Sequence, residues 1–239
     1  MDVNASIDTI FEKFKDIILT WFSVLTRGRK AVEKLDLEKS STLIYGLKFM
    51  FLMVFVDLIV NLPLAAKIGG STLIVVAIPS FLVAEAYIEY LTIAFVLHGS
   101  MKLVGGKGGL QSCIAAYCFL TAYLPLIGVL MLPERMITVP AMLDSSNYIA
   151  AVYQSRDQWD QLSTWDRSGV ALSFLLATAV FVMFFTAVFQ IFRALHRLSR
   201  PRAVLAFVGG LLASAVITSM FLEPPLSALF RALARPSGP

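Results

Sequence analysis

Apolar residues are collected along this chain into five runs, each about as long as a lipid bilayer is thick. A helix rises about 1.5 Å per residue, so roughly 20 apolar residues cross a hydrocarbon layer of about 30 Å. A backbone exposed to lipid must satisfy its own hydrogen bonds, and the chain has no series of short segments with alternating polarity. Each run therefore predicts a transmembrane helix, and the predicted spans are residues 43–63, 72–97, 110–132, 169–192 and 202–222.

A different pattern occupies residues 6–26, ahead of the first run. Apolar residues from Ile7 to Leu25 recur there at steps of three and four, and charged residues fill the opposite face, as in an amphipathic helix. The segment is too charged to span a membrane, so we expect it to lie in the membrane interface or to dock against the membrane helices. A helix that binds another protein is the alternative. The predicted fold class is an all-α integral membrane protein, with five transmembrane helices preceded by an N-terminal amphipathic helix.

These elements divide the chain into three parts. Residues 1–42 form an amphipathic helix and a basic linker, residues 43–222 form the five-helix membrane domain, and residues 223–239 form a C-terminal tail. Within the membrane domain, the connection 133–168 is the one large loop, with room for a short surface helix.

Prolines refine the predicted spans. Pro63 and Pro133 are expected at helix ends, where the missing N–H group does least harm. Pro79 and Pro125 fall inside their spans and predict local kinks.

Composition places the chain among membrane proteins. It has 239 residues, of which 58% are hydrophobic and 15% charged, and its mean hydropathy is +0.77. A soluble globular domain has roughly 45–50% apolar and about 25% charged residues, so a soluble enzyme with one buried core is excluded. In a membrane protein, a net charge of +4 is explained first by the excess of Lys and Arg in cytoplasmic loops, and not by a charged partner. We therefore infer no nucleic-acid role.

Lys and Arg are distributed unevenly between alternate connections of the predicted spans. With the N-terminus in the cytoplasm, 13 of them lie on the cytoplasmic side and 6 on the outside, and Lys48 lies within the first span. Because positive residues are retained on the cytoplasmic side, this count predicts a cytoplasmic N-terminus and an outside C-terminus. The connection 133–168 and the tail 223–239 are then outside.

Ionisable residues inside a span are costly, so the carboxylates of the first two spans require a reason. Asp57 lies in the first span, and Glu85 and Glu89 lie one helical turn apart on one face of the second. Two ionised carboxylates so close would repel, so at least one is protonated or a cation lies between them. Asp57, Glu85 and Glu89 are therefore a candidate ligand or proton site. The alternatives are a structural polar seam between helices, or a hydrated cavity that accepts a lipid headgroup amine or a basic residue of a partner.

Side chains suited to catalysis or metal binding are few. His98 and His196 are the only histidines, both near cytoplasmic ends of spans, and the chain has no H-E-x-x-H or G-x-S-x-G motif. His98 lies about 13 Å along the helix from Glu89, too far for one helix to bring both to one ion. Cys113 and Cys118 lie in an apolar run, where metal binding needs further ligands. We therefore predict no enzymatic activity, no cofactor and no metal.

The most distinctive local feature is the run Gly105-Gly106-Lys107-Gly108-Gly109 between the second and third spans. Four glycines around one lysine make a flexible, tightly turning connection, whose exposed N–H groups are able to cradle a phosphate beside the lysine charge. The alternative is a tight turn between two helices, with a lysine on the cytoplasmic side. The spacing does not match a Walker-type nucleotide site.

The residues around this turn form a longer pattern. The run from Ala94 to Val104 leads into Gly105, Gly106, Lys107 and Gly108, and it is followed by Gln111, Tyr117 and the step Ala122-Tyr123-Leu124-Pro125. Together with five spans and a cytoplasmic N-terminus, this pattern resembles the YIP domain family, the Ypt/Rab GTPase-interacting integral membrane proteins and their prokaryotic relatives. Tyr117 and Pro125 resemble the tyrosine and alanine–proline positions of that family.

The resemblance implies the fold and a non-enzymatic role in membrane organisation or trafficking. The short loops and compact N-terminus imply a bacterial relative in the inner membrane. Expected partners are membrane lipids and a protein bound at the cytoplasmic face, through the helix 6–26, the glycine turn and the basic loop 193–202. The alternative is a small transporter or lipid-handling protein in which Asp57, Glu85 and Glu89 line a polar path.

Overall fold

The fold is helical throughout the described part of the chain. The computed structural model describes residues 3–68, 72–144 and 148–222, with the side chains of residues 12, 15–64, 86–138 and 154–220. Helices occupy nearly all of these residues, and no strand is present among them, so the predicted all-α fold class is confirmed. The α-helices are α1 (Val3–Arg27), α2 (Arg29–Val32), α3 (Ser40–Ile68), α4 (Thr72–Leu103), α5 (Leu110–Leu120), α6 (Leu124–Asp144), α7 (Tyr148–Gln161), α8 (Thr164–His196) and α9 (Arg200–Ile217).

Among the described residues, four helical stretches are long and apolar enough to cross a membrane. They overlap four of the predicted spans and are Ser40–Leu64, Leu110–Thr138, Thr164–His196 and Arg200–Met220. Helix α4 covers the remaining predicted span, 72–97. The side chains of residues 65–85 lie outside the described residues, so that span stays a prediction.

The four stretches differ in how much of their apolar surface is covered. In Leu110–Thr138, 83% of the apolar window is buried, whereas the other three bury 22–28% of theirs. Leu172, Leu175 and Leu205 are examples of large apolar side chains exposed on these three. Apolar surface of this extent is accommodated by lipid and not by water.

Two predicted helix ends are wrong. Helix α3 continues past Pro63 to Ile68, and α6 continues past Pro133 to Asp144. Proline removes a single backbone hydrogen bond and kinks a helix without having to end it, because the hydrogen bonds before and after it still form. The four carbonyl groups at a helix end lack partners wherever the helix ends, so ending at the proline would save none of them.

The connection 133–168, expected as a loop, is largely helical where it is described. It contains the end of α6, all of α7 and the start of α8, and α6 and α7 pack against each other. A 3₁₀ turn, Thr121–Tyr123, separates α5 from α6 two residues before Pro125, where a kink is predicted. The side chain of Pro79 and the tail 223–239 lie outside the described residues.

Contacts divide the chain into two compact units. Unit 1 comprises Met1–Met53, Tyr90–Tyr123 and Phe184–Ala215. Unit 2 comprises Val54–Glu89, Leu124–Met183 and Val216–Pro239.

Unit 1 is built around α5. Every residue of α5 from Ser112 to Leu120 is buried, including Tyr117 and Phe119. Helices α3, α4 and α8 contribute the large buried side chains Phe49, Leu97 and Phe192 to the same core. A helix that is covered on all sides must be apolar all round, which explains why α5 shows no polar face.

Helix α1 docks in unit 1 through its C-terminal half. Trp21 donates a hydrogen bond from Nε1 to the carbonyl oxygen of Ala122, at 2.8 Å, and Val24 is buried. Gly28 follows with φ of 46°, and a Cβ there would lie 3.1 Å from the hydroxyl of Tyr123. The left-handed backbone and the close approach both require glycine at this position. The linker after α1 is therefore held against the unit.

Candidate functional site

The predicted carboxylate Asp57 lies within a polar network of unit 2. Asn61 donates from Nδ2 to the backbone carbonyl oxygen of Asp57, at 2.7 Å, and the carboxyl group of Asp57 lies within the field of Arg135. Arg135 in turn donates from Nη1 to Oδ1 of Asn61, at 3.0 Å. Asn61 thus connects Asp57 of α3 to Arg135 of α6, an arrangement suited to holding the two helices together.

Gly128 makes room for this network. A Cβ built on Gly128 would lie 1.9 Å from Oδ1 and 3.1 Å from Cγ of Asp57. The carboxylate of Asp57 therefore packs directly on the backbone of α6, where no side chain larger than hydrogen fits.

Glu85 and Glu89 are both in α4. Glu89 is half-buried, whereas the side chain of Glu85 lies outside the described residues. A proton or a cation shared by these two glutamates therefore stays a prediction.

The predicted glycine turn joins α4 to α5 in unit 1. Gly105, with φ of 91°, ends α4; its N–H donates to Lys102 O at 3.0 Å and that of Gly106 donates to Met101 O at 2.9 Å. This pair of bonds is a Schellman motif, which satisfies the last carbonyl groups of a helix. The N–H of Lys107 donates to His196 O at 3.1 Å. These three amide groups are engaged with backbone carbonyls and so are not available to a phosphate.

Two glycines of the turn pack against the ring of His196. A Cβ on Gly106 would lie 2.4 Å from Nδ1 of His196, and a Cβ on Gly108 would lie 3.1 Å from its Cγ. The imidazole is 0% exposed. The glycines at these two positions are therefore explained by the histidine that they cover.

His196 belongs to a cluster with His98 and Cys113. Sγ of Cys113 lies 3.3 Å from Nε2 of His196 and 3.4 Å from Nδ1 of His98. One donor atom from each residue lies within 4.8 Å of the other two. Burial lowers the pKa of His98, and the charge of Lys102 lowers it further. Imidazole and thiol together are the donors that zinc and copper prefer.

The cluster was not among the sequence-predicted site residues. Its members come from three helices, α4, α5 and α8, so no local spacing connects them. A signal was nevertheless present. Both histidines and one of the two cysteines lie at the same predicted side of their spans, His98 and His196 after a span and Cys113 near the start of one.

Among the other residues that resemble the family pattern, Tyr117 and Pro125 are buried and the charged Lys107 is exposed. Tyr117 is buried with its ring edge-on to Phe184 and Phe192, at centroid distances of 6.1 and 6.4 Å. Pro125 is buried in the first turn of α6, and Lys107 is exposed. Tyr117 and Pro125 thus contribute packing, while Lys107 contributes charge.

Unit 1 also presents a surface that we call the basic face, formed by the linker 27–39, residues 102–109 and the connection 193–202. Gln111 donates from Nε2 to Glu38 O at 2.8 Å, which ties the linker to α5. Glu33, Leu35, Asp36, Leu37 and Glu38 line a cavity of about 340 Å³ together with Ala194 and Leu195 of α8. Eleven exposed cations lie on this face: Arg27, Arg29, Lys30, Lys34, Lys39, Lys102, Lys107, Arg193, Arg197, Arg200 and Arg202.

Comparison with known proteins gives no relative to set beside this geometry. No family model matches the chain, and neither a curated protein nor a solved structure matches it. The resemblance to the YIP domain family therefore rests on the residues between 94 and 126 and on the pattern of spans.

Proposed function

We propose that this chain is a non-enzymatic integral membrane protein of the YIP type, which organises the membrane or recruits a partner through its basic face. Its fold would have five transmembrane helices after an N-terminal amphipathic helix, with the N-terminus in the cytoplasm of a bacterium and the C-terminus across the inner membrane. The basic face would then lie on the cytoplasmic side, at the level of anionic lipid headgroups.

One observation carries the proposal: three segments that are distant in sequence lie together in unit 1. Lys107 N–H donates to His196 O at 3.1 Å, joining the glycine turn to the connection after α8. Gln111 joins the linker to α5 through Glu38. Charges that are spread along the sequence are therefore held on one preformed surface.

The balance of charge on this surface favours an anionic ligand. The surface carries eleven exposed cations and three exposed carboxylates, those of Glu33, Asp36 and Glu38. Two of these carboxylates are paired, Glu33 with Arg29 at 2.5 Å and Asp36 with Lys39 at 2.9 Å. A basic residue near an anionic membrane surface contributes about 1 kcal/mol of attraction. The remaining cations are enough to bind several headgroups or an acidic protein surface.

Arg197 supports a role for charge at this surface. It has φ of 53°, a left-handed conformation that favours glycine. Arg197 N–H donates to Ala194 O at 3.1 Å and Leu198 N–H donates to Arg193 O at 3.2 Å, so the backbone forms a helix-ending motif like that of Gly105. An arginine at a position that suits glycine costs stability, and its side chain is exposed on the basic face.

The second candidate function is a small transporter or lipid-handling protein that uses Asp57, Glu85 and Glu89. The network of Asp57 with Asn61 and Arg135 is the observation that favours a polar path in unit 2. The same network also serves the structural seam, because Asn61 of α3 accepts a hydrogen bond from Arg135 of α6.

Native mass spectrometry of the protein in mild detergent separates these functions. Three proteins are compared: the wild type, a basic-face variant (Lys34→Glu, Lys107→Glu, Arg197→Glu and Arg200→Glu) and the pair Glu85→Gln with Glu89→Gln. We expect anionic lipid or a stoichiometric protein partner on the wild type and on the glutamine pair, and its loss from the basic-face variant. A ligand lost only from the glutamine pair would instead establish the transporter class.

A further inference from the structure

Three helices of unit 1 bring two imidazoles and a thiol together beneath the glycine turn. Cys113 lies between His98 and His196, and its Sγ is 3.4 Å and 3.3 Å from their nearest nitrogens. A tetrahedral zinc ion at about 2.3 Å from sulfur and about 2.0 Å from nitrogen separates two such donors by about 3.5 Å. The sulfur–nitrogen distances in the cluster are thus already those of a coordinated ion.

The surroundings also favour an ion. His196 and Cys113 are 0% exposed, and among the described residues the one partner of the ring nitrogens of His196 is the Cys113 thiol, on Nε2. Burying an imidazole costs stability unless its nitrogens are well bound, and a thiol forms only weak hydrogen bonds. Coordination of Nε2 would replace that weak contact by a bond strong enough to offset the burial.

We propose that His98, Cys113 and His196 bind Zn²⁺, at a site independent of the binding role of the basic face. Zinc accepts both imidazole nitrogen and thiolate sulfur, and three protein ligands leave a fourth position for water. Cys113 binds as the thiolate, so each ion taken up releases the thiol proton to solvent. His98 is only half-buried, which gives the ion a path to the site.

The bound ion would connect α4, α5 and α8 beneath the glycine turn. His196 would be both a ligand of the ion and the residue whose carbonyl oxygen accepts the hydrogen bond from Lys107 N–H of the turn.

The experiment measures metal on the full chain purified in detergent. Zinc content is determined by elemental mass spectrometry after Zn²⁺ is added and excess is removed, and Co²⁺ is used as the spectroscopic probe of the same site. We expect roughly one ion per wild-type chain, a sulfur-to-cobalt charge-transfer band, and a higher midpoint of thermal unfolding when Zn²⁺ is present.

The chain offers a matched control in Cys118, which is also 0% exposed in α5 but is not part of the cluster. Cys113→Ser should lose at least about tenfold in zinc affinity together with the cobalt band, whereas Cys118→Ser should keep both. His98→Asn, at a half-buried position, provides a second ligand variant if Cys113→Ser does not fold.

Two results would overturn the assignment. The first is a wild type that retains neither Zn²⁺ nor Co²⁺, which would make the cluster a hydrogen-bonded triad in which the thiol donates to one ring and accepts from the other. The second is equal loss of metal in Cys113→Ser and Cys118→Ser. Uptake of copper in place of zinc would also contradict the proposal.

Discussion

Cys113 and His196 are 83 residues apart in sequence, yet Sγ of the cysteine lies 3.3 Å from Nε2 of the histidine. The contact joins the central helix α5 to the end of α8, directly below the glycine turn. Gly106 and Gly108 leave space for the imidazole, and the backbone N–H of Lys107 donates to the carbonyl oxygen of His196. The turn, the cluster and the connection after α8 therefore form one packed arrangement.

This packing predicts that Gly106→Ala destabilises the protein. Its Cβ would lie 2.4 Å from Nδ1 of His196 and 2.6 Å from the carbonyl oxygen of Met101, and the second is backbone that cannot rotate away. Overpacking of this kind costs about 1–3 kcal/mol, seen as a lower midpoint of thermal unfolding in detergent. Gly99→Ala is the control, because nothing lies within 4 Å of a Cβ there. Equal midpoints for the two variants would show that the turn does not pack on the histidine.

The left-handed backbone of Arg197 predicts a gain in stability from glycine. Arg197→Gly should stabilise unit 1 by about 1 kcal/mol, since an L-residue at this φ is strained. Arg197→Gln removes the same charge and keeps the strain, so its unfolding midpoint should stay near that of the wild type. If the two variants unfold at the same temperature, charge and not backbone conformation determines the effect.

The close approach in unit 2 predicts a coupled pair of substitutions. Gly128→Ala places a Cβ 1.9 Å from Oδ1 of Asp57, so the carboxylate must leave its network at a cost of about 1–3 kcal/mol. Asp57→Ala removes the obstacle, and the double variant should therefore be less destabilised than the sum of the single ones by about 1 kcal/mol or more. Chemical unfolding of the four proteins measures this coupling, and additive effects would contradict it.

The proposed orientation predicts which positions are reached from each side of the membrane. The native cysteines are both 0% exposed and give little background. Lys34→Cys and Lys107→Cys should react with a membrane-impermeant maleimide only after the inner face is opened, whereas Arg156→Cys should react in intact cells. Reaction of Lys107→Cys and Arg156→Cys from the same side would be incompatible with a span between them.

The pattern of apolar residues predicts that the helices exist more accurately than it predicts where they begin and end. The apolar runs identify four stretches that the structure confirms, because lipid requires an apolar helix surface. Helix α8 starts earlier than its apolar run, at Thr164, because Ser163 caps it: the N–H of Asp166 donates to Ser163 Oγ at 3.2 Å. The Ser-x-x-Asp pattern is a sequence signature of a helix start, but hydropathy alone does not identify it.

The candidate site was less accessible to sequence reasoning. The glycine turn is distinctive in sequence, but its reason is a histidine that is 90 residues away from Gly106 and comes from another helix. The cation that acts on Asp57 is likewise distant in sequence, since Arg135 belongs to α6. Carboxylates within predicted spans can be recognised one by one, but the cation that lies near each of them depends on how the helices pack.

We expect the basic face to bind anionic groups, and lipid selectivity in a bilayer tests this binding most directly. Spin-labelled phosphatidylglycerol and phosphatidylcholine are compared by electron paramagnetic resonance for the reconstituted wild type, for the basic-face variant (Lys34→Glu, Lys107→Glu, Arg197→Glu and Arg200→Glu), and for Arg156→Glu as control. We expect the wild type and the control to prefer the anionic lipid by about threefold or more, with the preference lost in the basic-face variant and in high salt. A wild type that does not distinguish the two lipids, or a basic-face variant that keeps the preference, would contradict binding of anionic groups by this face.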